Sequence, residues 1–354
     1  MLHEQPILAR HSKGLHLSQN VTIMRVVNHT NFTTLIFKAA NAQGHIDWVV
    51  VIKGTFKLAA GRVETMTTQP VRCADMYYSG PQSSLAFAAD VVAYKPRSEV
   101  HVFGRSQAHM GSATRTWTAA VVVGELRSAV RITGPRAWVR RGDRYELSDP
   151  EACKAVELRY ELAYGGTCNH CKKFEPSNPI GRGLRCEDCE DIKSSDMIPA
   201  PQIEPLEEPT RDFGATYTPG GLSPVPPSWM PRRKFAGTYD MAWKETIWPR
   251  LPEDFDERFN NSAPLSLQRD APFKGDEEVR LTGIYPEGEI ACELSGIAVI
   301  LSLALCDGVY CIVPRLDTIS FDLDNRTISQ IWRARIPEGR RLRYVGIRTV
   351  RTRR

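Results

Sequence analysis

The sequence predicts a mainly β protein: antiparallel, sandwich-like β halves around an irregular central segment clipped by zinc. Three observations carry that expectation. Helical periodicity is nearly absent, and short β-branched and aromatic runs bounded by Gly, Pro, Asn or Asp recur instead. Over Ala155–Ala163 apolar and charged residues alternate with a period of two, as one buried and one solvated sheet face require. The composition is 42% hydrophobic and 25% charged over 354 residues. That is near the globular average and excludes collagen, coiled-coil and disordered classes.

In chain order, Val21–Val27, Phe32–Lys38 and Trp48–Leu58 read as the first strands. Glu99–Phe103, Trp117–Val123 and Leu126–Ile132 follow, the last two joined by a tight Gly124-Glu125 hairpin. Ala155–Ala163 alternates Val156, Leu158, Tyr160 and Leu162 with charged residues and reads as a half-buried strand. These runs make an N-terminal β-rich module, 1–166. From 167 to 236 the chain is rich in Pro, Gly, Cys and acids and carries almost no strand-like run. β signals return in a C-terminal module, 237–354, at Glu278–Ile284, Glu289–Leu294, Ile297–Leu305, Val309–Val313, Thr318–Leu323 and Ser329–Ile336.

The net charge of +5 is local: Arg333 to Arg354 holds nine arginines and one glutamate, +8, which leaves −3 for the rest. Charge alone therefore does not mark a nucleic-acid binder. Leu342, Tyr344 and Gly346 alternating with Arg341, Arg343 and Val345 fit a terminal strand as well as a phosphate-binding tail. The most apolar run, Gly296 to Leu305, falls far short of the roughly 20 residues a bilayer span needs. The N-terminus has no basic flank and no apolar core, so a cytoplasmic location is expected.

In that reducing compartment nine cysteines suggest metal or buried thiols before disulfides. Cys168-Asn-His-Cys171 and, fourteen residues on, Cys186-Glu-Asp-Cys189 can supply four thiolates to one structural zinc. A loop poor in apolar residues cannot offset its ordering entropy by burial, and a metal joining its ends would do so. His170 is an alternative fourth ligand. The remaining cysteines read as small buried hydrophobes.

No HExxH, phosphate-binding GxxxxGK[ST], dinucleotide-binding GxGxxG or GxSxG signature occurs. The eight histidines show no ligand spacing, and His101, flanked by Val100 and Val102, reads as the polar face of a strand. A non-catalytic protein is expected. The densest unusual stretch runs from Gly237 to Pro264. Asp254 with Glu257 resembles a capping box opening one helical turn, Phe255 and Phe259 then share a face, and Asn260-Asn261 end it in left-handed geometry. Trp243, Trp248, Phe255 and Phe259 are the candidate partner-binding aromatics, with a place in the core as the alternative.

The string GTYD-x-x-W, followed by W-P-x-L-P-x-DFD-x-RF-N-x-AP, resembles the signature of the bacterial type VI secretion adaptor/chaperone family. Ser84-Leu85 with Asp90, Lys95 to Val100 and Gly104, and Gly134 to Trp138 are similar to further family segments. So are Tyr164-Gly165-Gly166 with Asn178 to Gly183, Gly275-Asp276-Glu277 with Leu281-Thr282-Gly283, Leu316-Asp317-Thr318 and Trp332-Arg333-Ala334. The resemblance implies a cytoplasmic adaptor that holds an effector, and with a PAAR-domain protein helps load it on the VgrG spike. It brings no catalytic residues. The cysteine quartet departs from the family's commoner pattern, so the shared function should not depend on zinc. The alternatives are a zinc-containing nucleic-acid binder, and a hydrolase built on the Gly181–Gly183 turn and nearby acids.

Overall fold

Strand Ile46–Lys57 is buried on both faces over nearly its whole length, and its two faces differ. Val50, Ile52 and Phe56 point to the main core; Lys53 and Thr55 point the other way. It lies inside a seven-stranded sheet ordered Gln268–Arg269, Ser98–Phe103, Arg315–Asp322, Thr327–Pro337, Ile46–Lys57, Thr33–Ala40, with Glu64–Thr65 also pairing on Ile46–Lys57. All these pairings are antiparallel except Ser98–Phe103 with Arg315–Asp322, which run parallel. The computed structural model describes residues 24–41, 43–168, 171–185 and 197–351.

A six-stranded sheet is ordered Ile203–Pro205, Leu126–Thr133, Thr116–Val123, Glu278–Tyr285, Gly288–Glu293, Gly61–Arg62. A four-stranded sheet is ordered Arg25–Asn28, Tyr344–Arg351, Ile297–Leu305, Gly308–Ile312. In Thr116–Val123 the alternate residues Ala119, Val121 and Val123 are buried, as are Val299, Leu301, Leu303 and Leu305 in the third sheet. One continuous core takes side chains from all three sheets. Burying each such aliphatic is worth about 1.5–3 kcal/mol before the ordering entropy is set against it. Phe32 stacks on Trp332 with ring centroids 5.5 Å apart. This needs Gly54 beneath it, since a Cβ there would stand 2.8 Å from the Phe32 ring.

The mainly β expectation holds. The two sequence modules do not form separate sheets, however: each of the three large sheets draws strands from both. Ala155–Ala163 is a strand only over Ala155–Glu157, paired with Arg105–Gln107, and then becomes a 3-10 turn at Tyr160–Leu162. Val156, Leu158, Tyr160 and Leu162 are nonetheless all buried. Beyond Glu157 the carbonyl of Leu158 accepts from the Ser223 hydroxyl and that of Tyr160 from Asn178 Nδ2, and strand pairing resumes only where Ala163 bridges Ile203.

The described stretches of 167–236 are largely fixed by side chains of their own. Leu222, Val225 and Trp229 enter the core, and Trp229 meets Tyr160 edge-on at 5.7 Å. The arginine-rich end is the strand Tyr344–Arg351, parallel to Arg25–Asn28 and antiparallel to Ile297–Leu305. Arg333, Arg335 and Arg340 are held in ion pairs with Asp317, with Asp47 and Glu257, and with Asp307.

Candidate functional site

The second face of the seven-stranded sheet carries polar side chains, yet it is covered. Residues 83–97 and 260–264 lie across it, and the hydrogen bonds that hold them there come from the motif residues. Asp90, 3% exposed, accepts from Lys53 Nζ at 2.7 Å and from the Arg72 N–H at 2.9 Å. Ser84 donates its N–H and hydroxyl to the Glu161 carboxylate. Arg333 donates Nε to Asp317 at 2.8 Å and Nη1 to the carbonyls of Asp90 and Val92; its Nη2 has no partner among the described residues. Asp317 accepts from Thr318, whose hydroxyl accepts from Lys95 Nζ.

Glu99 is the centre. Oε1 accepts from Lys95 Nζ at 2.5 Å and lies 2.8 Å from His101 Nε2. Oε2 accepts from the N–H groups of Ser262 and Ala263 and from Asn261 Nδ2, at 2.8, 3.0 and 3.2 Å. Burial works against its charge, but Lys95 and His101 outweigh it and hold the carboxyl well below the usual range. For His101 burial dominates, with Glu99 opposing it, so its pKa is lowered and the ring is neutral at pH 7. His101 lies on the polar face of its strand, as expected, but is 2% exposed because residues 260–264 cover that face.

Glu99, His101 and Ser262 resemble an acid–base–nucleophile set, and the geometry gives them another role. Both Glu99 Oε1 and Ser262 Oγ approach the same ring atom, Nε2. A neutral imidazole facing a carboxylate through Nε2 carries its proton there, so that nitrogen has no lone pair to take a proton from Ser262. The three side chains act as a clamp that pins the segment to the sheet.

The other motif segments are also local fasteners. Tyr164-Gly165 pairs parallel with Arg182-Gly183, and buried Asn178 donates Nδ2 to the carbonyls of Tyr160 and Tyr164 at 2.8 Å each. Gly165, at φ +140°, admits no side chain, because a Cβ would stand 2.2 Å from the Asn178 carbonyl oxygen. Arg136 donates to the Pro201 carbonyl and pairs with Glu204, and Trp138 is buried.

Outside the clamp opens a cleft of about 670 Å³, lined by Pro96, Arg97 and parts of the 218–235 and 258–270 stretches. Beside it the chain makes an excursion from Gly237 to Asp254. Asp254 accepts from the Thr238 N–H and hydroxyl and closes its base. Within it the short helix Met241–Thr246, capped by Asp240 accepting from the Trp243 N–H at 2.8 Å, buries no residue. Tyr239, Met241 and Trp248 are 53%, 63% and 65% exposed.

A model of a protein family described as an uncharacterized protein conserved in bacteria (DUF2169) matches residues 43–333. The chain belongs to this family. No curated protein and no solved structure matches it. The family's matched span contains the motif residues from Ser84 to Arg333.

Of the candidate partner-binding residues, Trp248 is exposed and Trp243, half-buried, meets Tyr239 edge-on at 4.7 Å and donates Nε1 to the Arg250 carbonyl. Phe255 and Phe259 are half-buried, 6.0 Å apart, at the foot of the excursion. The expected capping box is replaced: Asp256 caps the 3-10 turn Glu257–Asn260 by accepting from the Arg258 N–H. Asn261 is extended there, and the two asparagines instead hold the backbone of Tyr94 and Arg97. Sequence reasoning did not join Glu99, His101 and Ser262. The local signal was the alternation of Glu99 and His101 with Val100 and Val102, which places the two side chains on one strand face and says nothing of Ser262.

For the cysteine quartet, Cys168 and Cys171 sit at a turn closed by the Cys168 N–H donating to the Lys173 carbonyl at 2.7 Å, with Lys172 at φ +62°. Cys186, Cys189 and His170 lie outside the described residues. Among the described residues no three His, Cys, Asp or Glu side chains form a metal-ligating group, and no helix is long and apolar enough to cross a membrane. Cys292 is buried, as expected, whereas Cys73, Cys306 and Cys311 are exposed.

Proposed function

We propose that the protein is a non-catalytic adaptor or chaperone of type VI secretion. It would bind an effector or a PAAR-domain protein in the cytoplasm and help load it on the VgrG spike. The observation that carries the reading is the excursion 237–254: a short helix with no buried residue, held at its base, with Tyr239, Met241 and Trp248 turned outward. A monomer gains nothing by exposing such aromatics, whereas amphipathic aromatic anchors are what protein interfaces use. The resemblance of the motifs to the adaptor family supports the same role. The test is co-expression with the neighbouring effector and PAAR proteins. Effector solubility and co-purification should fall when the protein is omitted, and an unchanged yield removes the proposal.

We also propose one structural zinc held by Cys168, Cys171, Cys186 and Cys189. It is supported by the two Cys-x-x-Cys pairs and by the reversed turn that carries the first pair. Four thiolates would leave no open position, so the metal would brace the loop and take no part in chemistry. Purified protein should carry about one equivalent of zinc. Cys186→Ser should release the metal and speed proteolysis of the loop; metal-free protein with an equally protected loop would contradict this.

A further inference from the structure

The cleft beside the excursion has an unusual charge arrangement. Four cationic side chains line it: Arg97, Arg232, Lys234 and Arg258. Two are already paired, Arg97 with Asp270 and Arg258 with Asp256. The other two have no carboxylate partner among the described residues. Lys234 is exposed, its ammonium 5.0 Å from the centre of the Phe235 ring. Arg232 is only 9% exposed.

The guanidinium of Arg232 is fixed by two backbone carbonyls. Nε donates to Phe259 at 2.8 Å and Nη1 to Val225 at 2.9 Å, which leaves Nη2 without a hydrogen bond among the described residues. Burial pulls its pKa down against the opposing fields of Asp75 and Glu99. A desolvated guanidinium held by neutral carbonyls is costly unless an anion completes it, and its planar fork suits a carboxylate. The remaining walls are mixed: Pro96, Pro231, Pro264 and Leu265 give stiff apolar surface, with Leu265 64% exposed, while Ser177, Thr218, Gln268 and the Arg97-paired Asp270 add polar groups.

We propose that this cleft receives a peptide segment of the partner in which an acidic side chain is flanked by apolar residues. The carboxylate would pair with Arg232 Nη2 and Lys234, and the flanking side chains would lie on the proline and leucine walls. A nucleic acid fits the cleft less well, because two unpaired cations are too few to track a phosphate backbone. The inference rests on the adaptor reading and specifies the chemistry of its partner.

To test it, a random dodecapeptide library displayed on phage is panned against the immobilised full-length chain. Enriched sequences are then made as fluorescein-labelled peptides for anisotropy. The expected result is enrichment of Asp or Glu beside apolar residues, with binding weakened roughly tenfold by Lys234→Glu and by amidation of the peptide's acid. Lys234 is exposed, so this variant leaves the fold intact; Arg232→Gln, checked by circular dichroism, should weaken binding further. Failure to enrich acidic sequences, or equal binding by Lys234→Glu, overturns the proposal. Displacement of the peptide by labelled oligothymidylate overturns it in favour of a phosphate site. Acidic peptides that bind while no effector co-purifies would remove the adaptor role and keep the cleft. Effector capture undiminished by Lys234→Glu would do the reverse.

Discussion

Residues 260–264 and residues 239–250 belong to one signature-dense stretch of chain and meet opposite environments. Asn261, Ser262 and Ala263 are buried, their polar atoms taken up by Glu99, His101 and Arg97. Tyr239, Met241 and Trp248 stand in solvent with their apolar surface uncovered. In the first region the side-chain polar atoms of Asn261 and Ser262 have all found partners, and the segment is fixed. In the second, Tyr239 meets Trp243, yet more than half of the surface of Tyr239, Met241 and Trp248 stays open among the described residues, as the proposed docking role requires.

The comparison breaks if the buried region tolerates damage. Glu99→Gln leaves Lys95 charged and buried beside a neutral amide, so unfolding in urea should show a loss of about 3–5 kcal/mol. A loss below about 1 kcal/mol would mean that the clamp does not hold the segment.

Acid sharpens the same contrast. The folded pKa of His101 is depressed, so the unfolded chain binds the extra proton first. Stability should decline as pH falls below about 6.5, by up to about 1.4 kcal/mol per pH unit. Glu99, also depressed, contributes stability that is present above about pH 4.3 and is lost as pH falls toward its lower folded value. His101→Gln should abolish the upper limb of the stability–pH curve and leave the lower one. The smallest effect belongs to the exposed region. Trp248→Ala should change stability by no more than about 0.5 kcal/mol while reducing effector co-purification. Destabilisation comparable to that of Glu99→Gln would place Trp248 in the fold and not at an interface.

Much of this was legible in the chain. Ile297–Leu305 is a strand at the residues where its apolar run places one, and the Gly124-Glu125 hairpin joins two strands as its residues demand. At Tyr160 the alternation over Ala155–Ala163 identified the buried side chains and misjudged the backbone, because a period of two reports an extended chain and not a neighbouring strand. His101 was unreadable for a related reason. Alternation separates the two faces of a sheet, but the covering segment for the polar face comes from 160 residues further along, and no local pattern announces it. The aromatics at 243–259 were ambiguous because a ring in the core and a ring at an interface obey the same composition.

The pairing of Arg25–Asn28 with Tyr344–Arg351 sets an order on assembly. Strand Ile46–Lys57 waits likewise for Thr327–Pro337. During synthesis the early strands leave the ribosome with open edges, and their complements arrive only after nearly all the intervening chain has been made. Completion is therefore a late and concerted event, and until then a nascent chain offers bare strand edges to cellular chaperones.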